Sequence, residues 1–342
     1  MAIAHWVGEL GVGELAALGA ALLWTVASLI YSRVGQTVPP AQLNLLKGGM
    51  AIVLLSATFL VQLWLSRSPS PPDANGITGL AISWQAMSWK NAWYLGLSGA
   101  VGIGLGDTFF FWTLKLWGAR RALLIETLAP PLGAFLAWIW LGEVLSLGDF
   151  TGMLLTLVGV GWVITERVPD AQASADGQTL SRTNLDQSQQ STQSWRWGLV
   201  YGLLFVVGQA SGAVLSRAAL AHTTVNPLVS TLVRLSAGAG VMGLWLLWQR
   251  QPSTWHWLGR DGSKQGWKIL GTIAISAFLG TYLAIWLQQT ALKYTATGIA
   301  QALSTTGPLF ALGITYCLGE GVSGRTIVGV ALALLGIILL FQ

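Results

Sequence analysis

The sequence predicts an all-α protein embedded in a membrane, on three observations. Of 342 residues, 53% are hydrophobic and 9% charged, against roughly 25% charged in an average soluble domain. Ten apolar runs can be read along the chain, each near the ~20 residues that a helix needs to cross the hydrocarbon core. None alternates polar and apolar residues over the ten or so positions of a barrel strand, and lipid leaves any unpaired backbone group unsolvated, so the runs are read as helices. The 42 Gly and 19 Trp fit the same class, because small residues let helices approach in lipid and Trp settles at the headgroup level.

The first run, 13–34, has no basic segment before it and no clear small-residue cleavage site after it, so it reads as a retained helix and not a signal peptide. The second, 41–65, follows Pro40 and carries Lys47. Ser66 to Lys90, with Pro69, Pro71 and Pro72, reads as a long loop. The third run, 91–114, contains GIGLG from Gly102 to Gly106; no strand precedes it, so close helix packing and not a nucleotide loop is expected. The fourth, 119–141, holds Pro130 and Pro131 and ends in Leu141-Gly142-Glu143, and the fifth covers 146–164. Pro169 to Ser194 is rich in Gln, Ser, Asp and Thr, the composition of a flexible linker. Beyond it come 196–217, 227–248, 267–291, 297–318 and 323–341. The expected units are therefore residues 1–168, a linker at 169–194, and residues 195–342.

The two halves repeat. An offset of 177 aligns Leu141-Gly142-Glu143 with Leu318-Gly319-Glu320, Thr113 with Thr290, Ala119 with Ala296, Pro131 with Pro308, Ala134 with Ala311, Gly152 with Gly329 and Gly159 with Gly336. With small gaps, Leu105-Gly106-Asp107 matches Leu279-Gly280-Thr281 and Ser32-Arg33 matches Ser216-Arg217. Lys47 lies seven residues after Pro40, and Arg234 seven after Pro227. Five runs per half is an odd number, so the halves are expected to enter the membrane with opposite orientation. Such a duplication is the structural basis of alternating access around a central site.

Other classes find little support. The net charge is +5, yet Lys and Arg are scattered through short loops and form no stripe for nucleic acid. Cys317 stands alone, so neither an intramolecular disulfide nor a thiolate metal cluster can form. His5, His222 and His256 show no ligand spacing. No catalytic set, metal or cofactor is expected.

Charge inside the runs marks the candidate site. Lys47, Asp107, Glu126 and Arg234 lie within spans, where an ionisable residue costs several kcal/mol unless it pairs or faces a cavity. Asp107 corresponds to Thr281 and Glu126 to Leu303, so the acids do not repeat. They are read as pathway residues that take up a proton or meet a cationic group; a structural ion pair between Glu126 and Lys47 is the rival. Lys47 and Arg234 could also snorkel to the interface. Polar residues extend the lining: Trp24, Thr25, Gln209, Ser211, Tyr282, Gln301, Ser304 and Thr305. Pro130, Pro131 and Pro308 are expected to interrupt their helices near the site and free backbone carbonyls. Glu143 and Glu320 read as caps for the N-terminus of the next helix.

Taken together, the five-plus-five duplication, LGE ending the fourth and ninth runs, a basic residue early in the second and seventh, and Pro131 and Pro308 resemble the EamA-like branch of the drug/metabolite transporter superfamily. The stretch Gly106 to Glu143 is especially similar to members with one acid in helix three and another in helix four. Pro130-Pro131, the Trp-rich loop before the third run and the polar linker depart from the pattern. The resemblance implies a secondary carrier moving small metabolites, often outward, without nucleotide or metal. A proton- or exchange-coupled exporter of the plasma membrane leads; a proton-independent facilitator and a non-transporting scaffold are the alternatives. Lys47 and Arg234 aside, twelve Lys or Arg fall in or at the ends of the odd-numbered connections and four in or at the ends of the even ones. The positive-inside rule then puts the termini outside, whereas the resemblance implies that they are cytoplasmic.

Overall fold

The computed structural model describes residues 11–65, 87–165, 184–248, 264–317 and 324–340. Most of the Ser66–Lys90 loop, the first part of the linker, and the second LGE at Leu318 to Glu320 lie outside them. The described residues form helices joined by turns, with no strand. α1 runs Val12–Val34 and α2 Pro40–Leu65. Glu14 in the first turn of α1 and Arg33 in its last complement the helix dipole. α3, Trp89–Ser98, starts where Ser88 accepts a bond from the Asn91 amide at 3.2 Å. The chain then widens into a π-helical segment, π1, Gly99–Gly106, before α4, Asp107–Glu126, which Gly118 breaks with φ 76° and ψ 171°.

α5, Ala129–Leu141, is followed by α6, Leu147–Thr165. Gly142 turns the chain between them at φ 67°, a left-handed conformation that costs glycine little. Ser146 and Asp149 cap α6 reciprocally, the Ser146 amide donating to Asp149 Oδ2 at 2.9 Å and the Asp149 amide to Ser146 Oγ at 3.1 Å.

In the second half come α7 Asn184–Leu220, α8 Pro227–Trp248, α9 Lys264–Ala277, π2 Phe278–Leu283, α10 Ala284–Tyr294, α11 Thr297–Ser304, α12 Gly307–Cys317 and α13 Gly324–Leu340. α7 starts inside the segment expected to be a flexible linker, because Asn184 to Ser194 holds neither Gly nor Pro to stop the helix.

Helical structure occurs at each of the ten apolar runs. Among the described residues, six continuous stretches are long and apolar enough to cross a membrane: Val12–Val34, Pro40–Gln62, Trp89–Gly118, Trp195–Leu220, Pro227–Trp248 and Gly266–Tyr294. Shorter apolar helices cover Ala129–Leu141, Leu147–Trp162 and Ile327–Leu339.

The apolar runs are interrupted at the prolines, by a turn ahead of each and not by a kink. Pro130 and Pro131 stand in the first turn of α5 after a turn at Thr127 and Leu128, and Pro308 stands at the start of α12 after a turn at Thr305 and Thr306. They begin helices and do not kink them. A proline there forfeits no hydrogen bond, because first-turn amides have no intrahelical partner.

Glycines determine how closely the halves approach. A Cβ at Gly208 on α7 would lie 3.1 Å from Gly106 Cα, and one at Gly212 3.1 Å from Gly102 Cα, so the GIGLG run serves close packing. π1 also packs on α8, where a Cβ at Gly238 would lie 3.0 Å from the Gly99 carbonyl oxygen. α6 and α13 meet most tightly: a Cβ at Gly159 would come 2.6 Å from the Gly329 carbonyl oxygen, and one at Gly336 2.6 Å from that of Gly152. These are the glycines that the offset of 177 pairs.

Candidate functional site

Between the halves lies a partly open cavity, lined from the first half by Ala20, Ala21, Trp24, Ile103, Asp107 and Glu126. The second half supplies Gln209, Arg234, Gly280, Ala284, Ile285, Gln288 and Ser304. A neighbouring recess shares Glu126, Gln209, Gln288 and Ser304 and adds Ala129, Gln301 and Thr305. The floor of polar groups thus continues under α5 and α11.

The π segments place two of these residues. π1 ends at Asp107, whose amide bonds back to the Gly102 carbonyl, and π2 contains Gly280, the repeat equivalent of Gly106. Widening a helix turn leaves carbonyls without their usual i+4 amide. Asn44 on α2 meets that need in π1, its Nδ2 donating to the Ile103 and Gly104 carbonyl oxygens at 2.8 and 3.0 Å. The same amide reaches Thr108 Oγ1 at 2.8 Å.

Asp107 forms a buried ion pair with Lys47, one turn along α2 from Asn44. The Lys47 ammonium is fully buried and also lies 5.6 Å from the Trp24 ring centroid and 5.2 Å from that of Phe111. Lys47 therefore neither snorkels nor pairs with Glu126. Its ammonium lies on Asp107 and is not part of the cavity lining; α2, packed on α4, α8 and π2, carries it there. Glu126, at the end of α4, has no hydrogen bond or ion pair recorded for its carboxylate among the described residues; the Trp24 indole faces it without meeting hydrogen-bond geometry.

Arg234 on α8 is 2% exposed. Its guanidinium is buried too deeply to snorkel, and Gly102 leaves it room, since a Cβ there would lie 3.3 Å from Nη2. Nε and Nη1 have no hydrogen-bond partner, nor does the Trp24 Nε1.

Six of the expected residues, Trp24, Asp107, Glu126, Gln209, Arg234 and Ser304, thus border the cavity, and Gln301 and Thr305 border the neighbouring recess. Tyr282 does not join them. Its hydroxyl meets Thr58 Oγ1 at 2.8 Å and its ring stacks on Phe278, because π2 rotates that face of the chain toward α2. Thr25 is buried against its own helix, donating to the Ala21 carbonyl at 2.7 Å. Gln288, which borders both spaces, was not singled out from the sequence. The signal was a Gln-Gln pair in an apolar run, and only the helix rotation tells that Gln288 faces the cavity while Gln289 packs beside Ser230.

Glu143 caps a helix, but not the next one. Its Oε2 accepts from the Thr297 amide at 2.9 Å, the first amide of α11 in the other half, and its Oε1 accepts from Arg217 Nε on α7. Glu320 lies outside the described residues.

No curated protein matches the chain. Twenty-four solved chains do. One crystal structure, of a protein given no further description, aligns over 96% of this chain and 96% of its own, with a TM-score of 0.63 and 19% identity, a likeness of fold alone. The profile of the EamA-like transporter family matches twice, over residues 11–165 and 196–342. Those two segments supply the opposite walls of one buried, charge-bearing cavity, and the chain belongs to the EamA-like transporter family, within the drug/metabolite transporter superfamily.

Proposed function

We propose that the protein is a secondary transporter that carries a small metabolite or drug across the plasma membrane by alternating access, as an exporter coupled to protons or working by exchange. The observation that carries the reading is the cavity itself: both repeats line it, and Asp107 and Glu126 from the two ends of α4 and Arg234 from α8 border it. Burying charge around empty space is costly unless a solute or water compensates it. A non-transporting scaffold has no use for that arrangement.

The reading takes the chain as ten transmembrane helices in two inverted five-helix repeats, 1–168 and 195–342, joined by 169–194. The α6–α13 crossing supports it. Gly159 meets Gly329 and Ala333, while Gly336 meets Gly152 and Thr156, which is the same pair of contacts with the repeats interchanged. As the contact moves forward along α6 it moves backward along α13, so these equivalent helices run in opposite directions. A two-fold axis perpendicular to both produces that pattern, and an inverted repeat has such an axis.

Within this reading the two acids divide their work. Asp107 holds Lys47, and Glu126 is the carboxylate free to exchange a proton during turnover. Reconstituted vesicles test it: saturable solute flux driven by a pH gradient is expected, and Glu126→Gln removes the gradient dependence. Flux that ignores the gradient in both proteins would favour a facilitator; no saturable flux of amino acids, sugars, organic acids or cationic drugs would overturn the transporter reading.

A further inference from the structure

We propose that the cavity binds the carboxylate group of its substrate through Arg234, so that the transported solute is a small organic acid with a compact apolar body. The inference rests on the transporter reading for its word "transported", and on the geometry for the rest.

Four ionisable groups stand at or behind the cavity, and they are not equivalent. Lys47 and Asp107 neutralise each other. Glu126 and Arg234 border the same space, yet no ion pair joins them or links Arg234 to Asp107 among the described residues. Arg234 is 2% exposed, and its Nε and Nη1 donate to nothing. A guanidinium cannot shed its charge as a lysine can, so a buried one with open donors needs an acceptor from elsewhere. The cavity is the open side of this one. The Trp24 indole N–H on the same lining faces the Glu126 carboxylate, so Arg234 is the donor left for the solute.

The rest of the lining selects the kind of anion. A phosphate dianion would call for more positive charge than one free guanidinium, and Lys47 is already committed. A monoanion matches it. Ala20, Ala21, Ile103, Ala284 and Ile285 form an apolar wall beside the charged end, the kind of surface that meets the apolar body of a ligand. Gln209, Gln288 and Ser304 can bond a hydroxyl or keto group on that body.

The test compares acids with their own amides, which keep shape and lose charge: lactate with lactamide and benzoate with benzamide. Purified protein in detergent is heated with each. The acids are expected to raise the melting temperature of the wild type in a concentration-dependent way and the amides not, because only a ligand of the folded state stabilises it. Arg234→Gln should weaken the apparent affinity for the acids about tenfold or more, whereas Arg234→Lys should retain part of it. The wild-type comparison stands even where a variant fails to fold.

Equal shifts with acid and amide, or no shift with either acid, would overturn the proposal. Flux in proteoliposomes then separates this inference from the one beneath it. Saturable flux of neutral or cationic solutes with no binding of acids would keep a transporter and sink the carboxylate site. Acid binding that requires Arg234, with no saturable flux of any solute, would keep the site and sink the transporter.

Discussion

Arg217 and Glu143 lock the two repeats together at one end of the molecule. Arg217 Nε donates to Glu143 Oε1 at 2.6 Å, and Nη1 donates to the carbonyl oxygens of Leu292 and Lys293 at 2.9 Å each, where α10 ends. Glu143 in turn accepts the first amide of α11. One arginine thus neutralises the C-terminus of one helix while its acidic partner neutralises the N-terminus of the next.

Breaking that lock should loosen the structure more than an ordinary surface pair would. Glu143→Gln keeps an acceptor for Thr297 and loses the charge, at an expected cost of about 1–2 kcal/mol; Glu143→Ala loses both, at about 2–4 kcal/mol. Thermal unfolding of the two variants beside the wild type reads the difference. Equal melting temperatures for all three would show that the contact contributes nothing.

Lys47 and Asp107 predict a different pattern. Both side chains are buried, so Lys47→Met or Asp107→Leu alone leaves an uncompensated charge and should cost about 3–5 kcal/mol. The double variant removes both charges and should recover most of that loss. A double-mutant cycle on unfolding midpoints checks it; additive losses would mean that the two do not compensate each other.

The glycine crossing makes a steric prediction with a control on the same helix. A Cβ at Gly159 would come within 2.4 Å of the Ala333 backbone nitrogen, whereas one at Gly161 would meet nothing within 4 Å. Gly159→Ala should therefore lower stability by about 1–3 kcal/mol, and Gly161→Ala should not. Comparable yields and melting temperatures for both variants would contradict the packing.

Filling the cavity should stop function without unfolding the protein. Ala284 borders the empty space, and Ala284→Trp adds volume there with no backbone demand. Flux of any transported solute should fall about tenfold or more, which corresponds to ~1.4 kcal/mol, while the melting temperature holds. Retained flux would place the pathway elsewhere.

Much of this architecture is legible in the sequence, because lipid imposes a length on every apolar run and the repeat shows itself through Gly, Pro and LGE. The site is legible for the same reason: Asp107, Glu126 and Arg234 are expensive where they stand, so their presence in apolar runs already points to a cavity or a partner. Which of the two each one has is not legible. Lys47 pairs with Asp107 and not with Glu126 because of where α2 packs on α4, a long-range relation. Tyr282 and Gln288 depend on helix rotation, and π2 shifts the rotation within one run by an amount no α-helical period contains. Pro130 and Pro308 mark the expected interruptions, but that each follows a turn and starts a new helix is not legible in the run.

The meeting of Gly152 and Gly159 with Gly336 and Gly329 has a kinematic consequence. If the two repeats trade shapes during a cycle, every contact away from their symmetry axis must be exchanged for a different one, but a contact on the axis is carried into itself. Here the equivalent glycines already touch each other's partners, so α6 and α13 have nothing to exchange. In the proposed alternating-access cycle they would act as a bearing, about which the helices that bring Arg234, Glu126 and Trp24 together would swing while it stays closed.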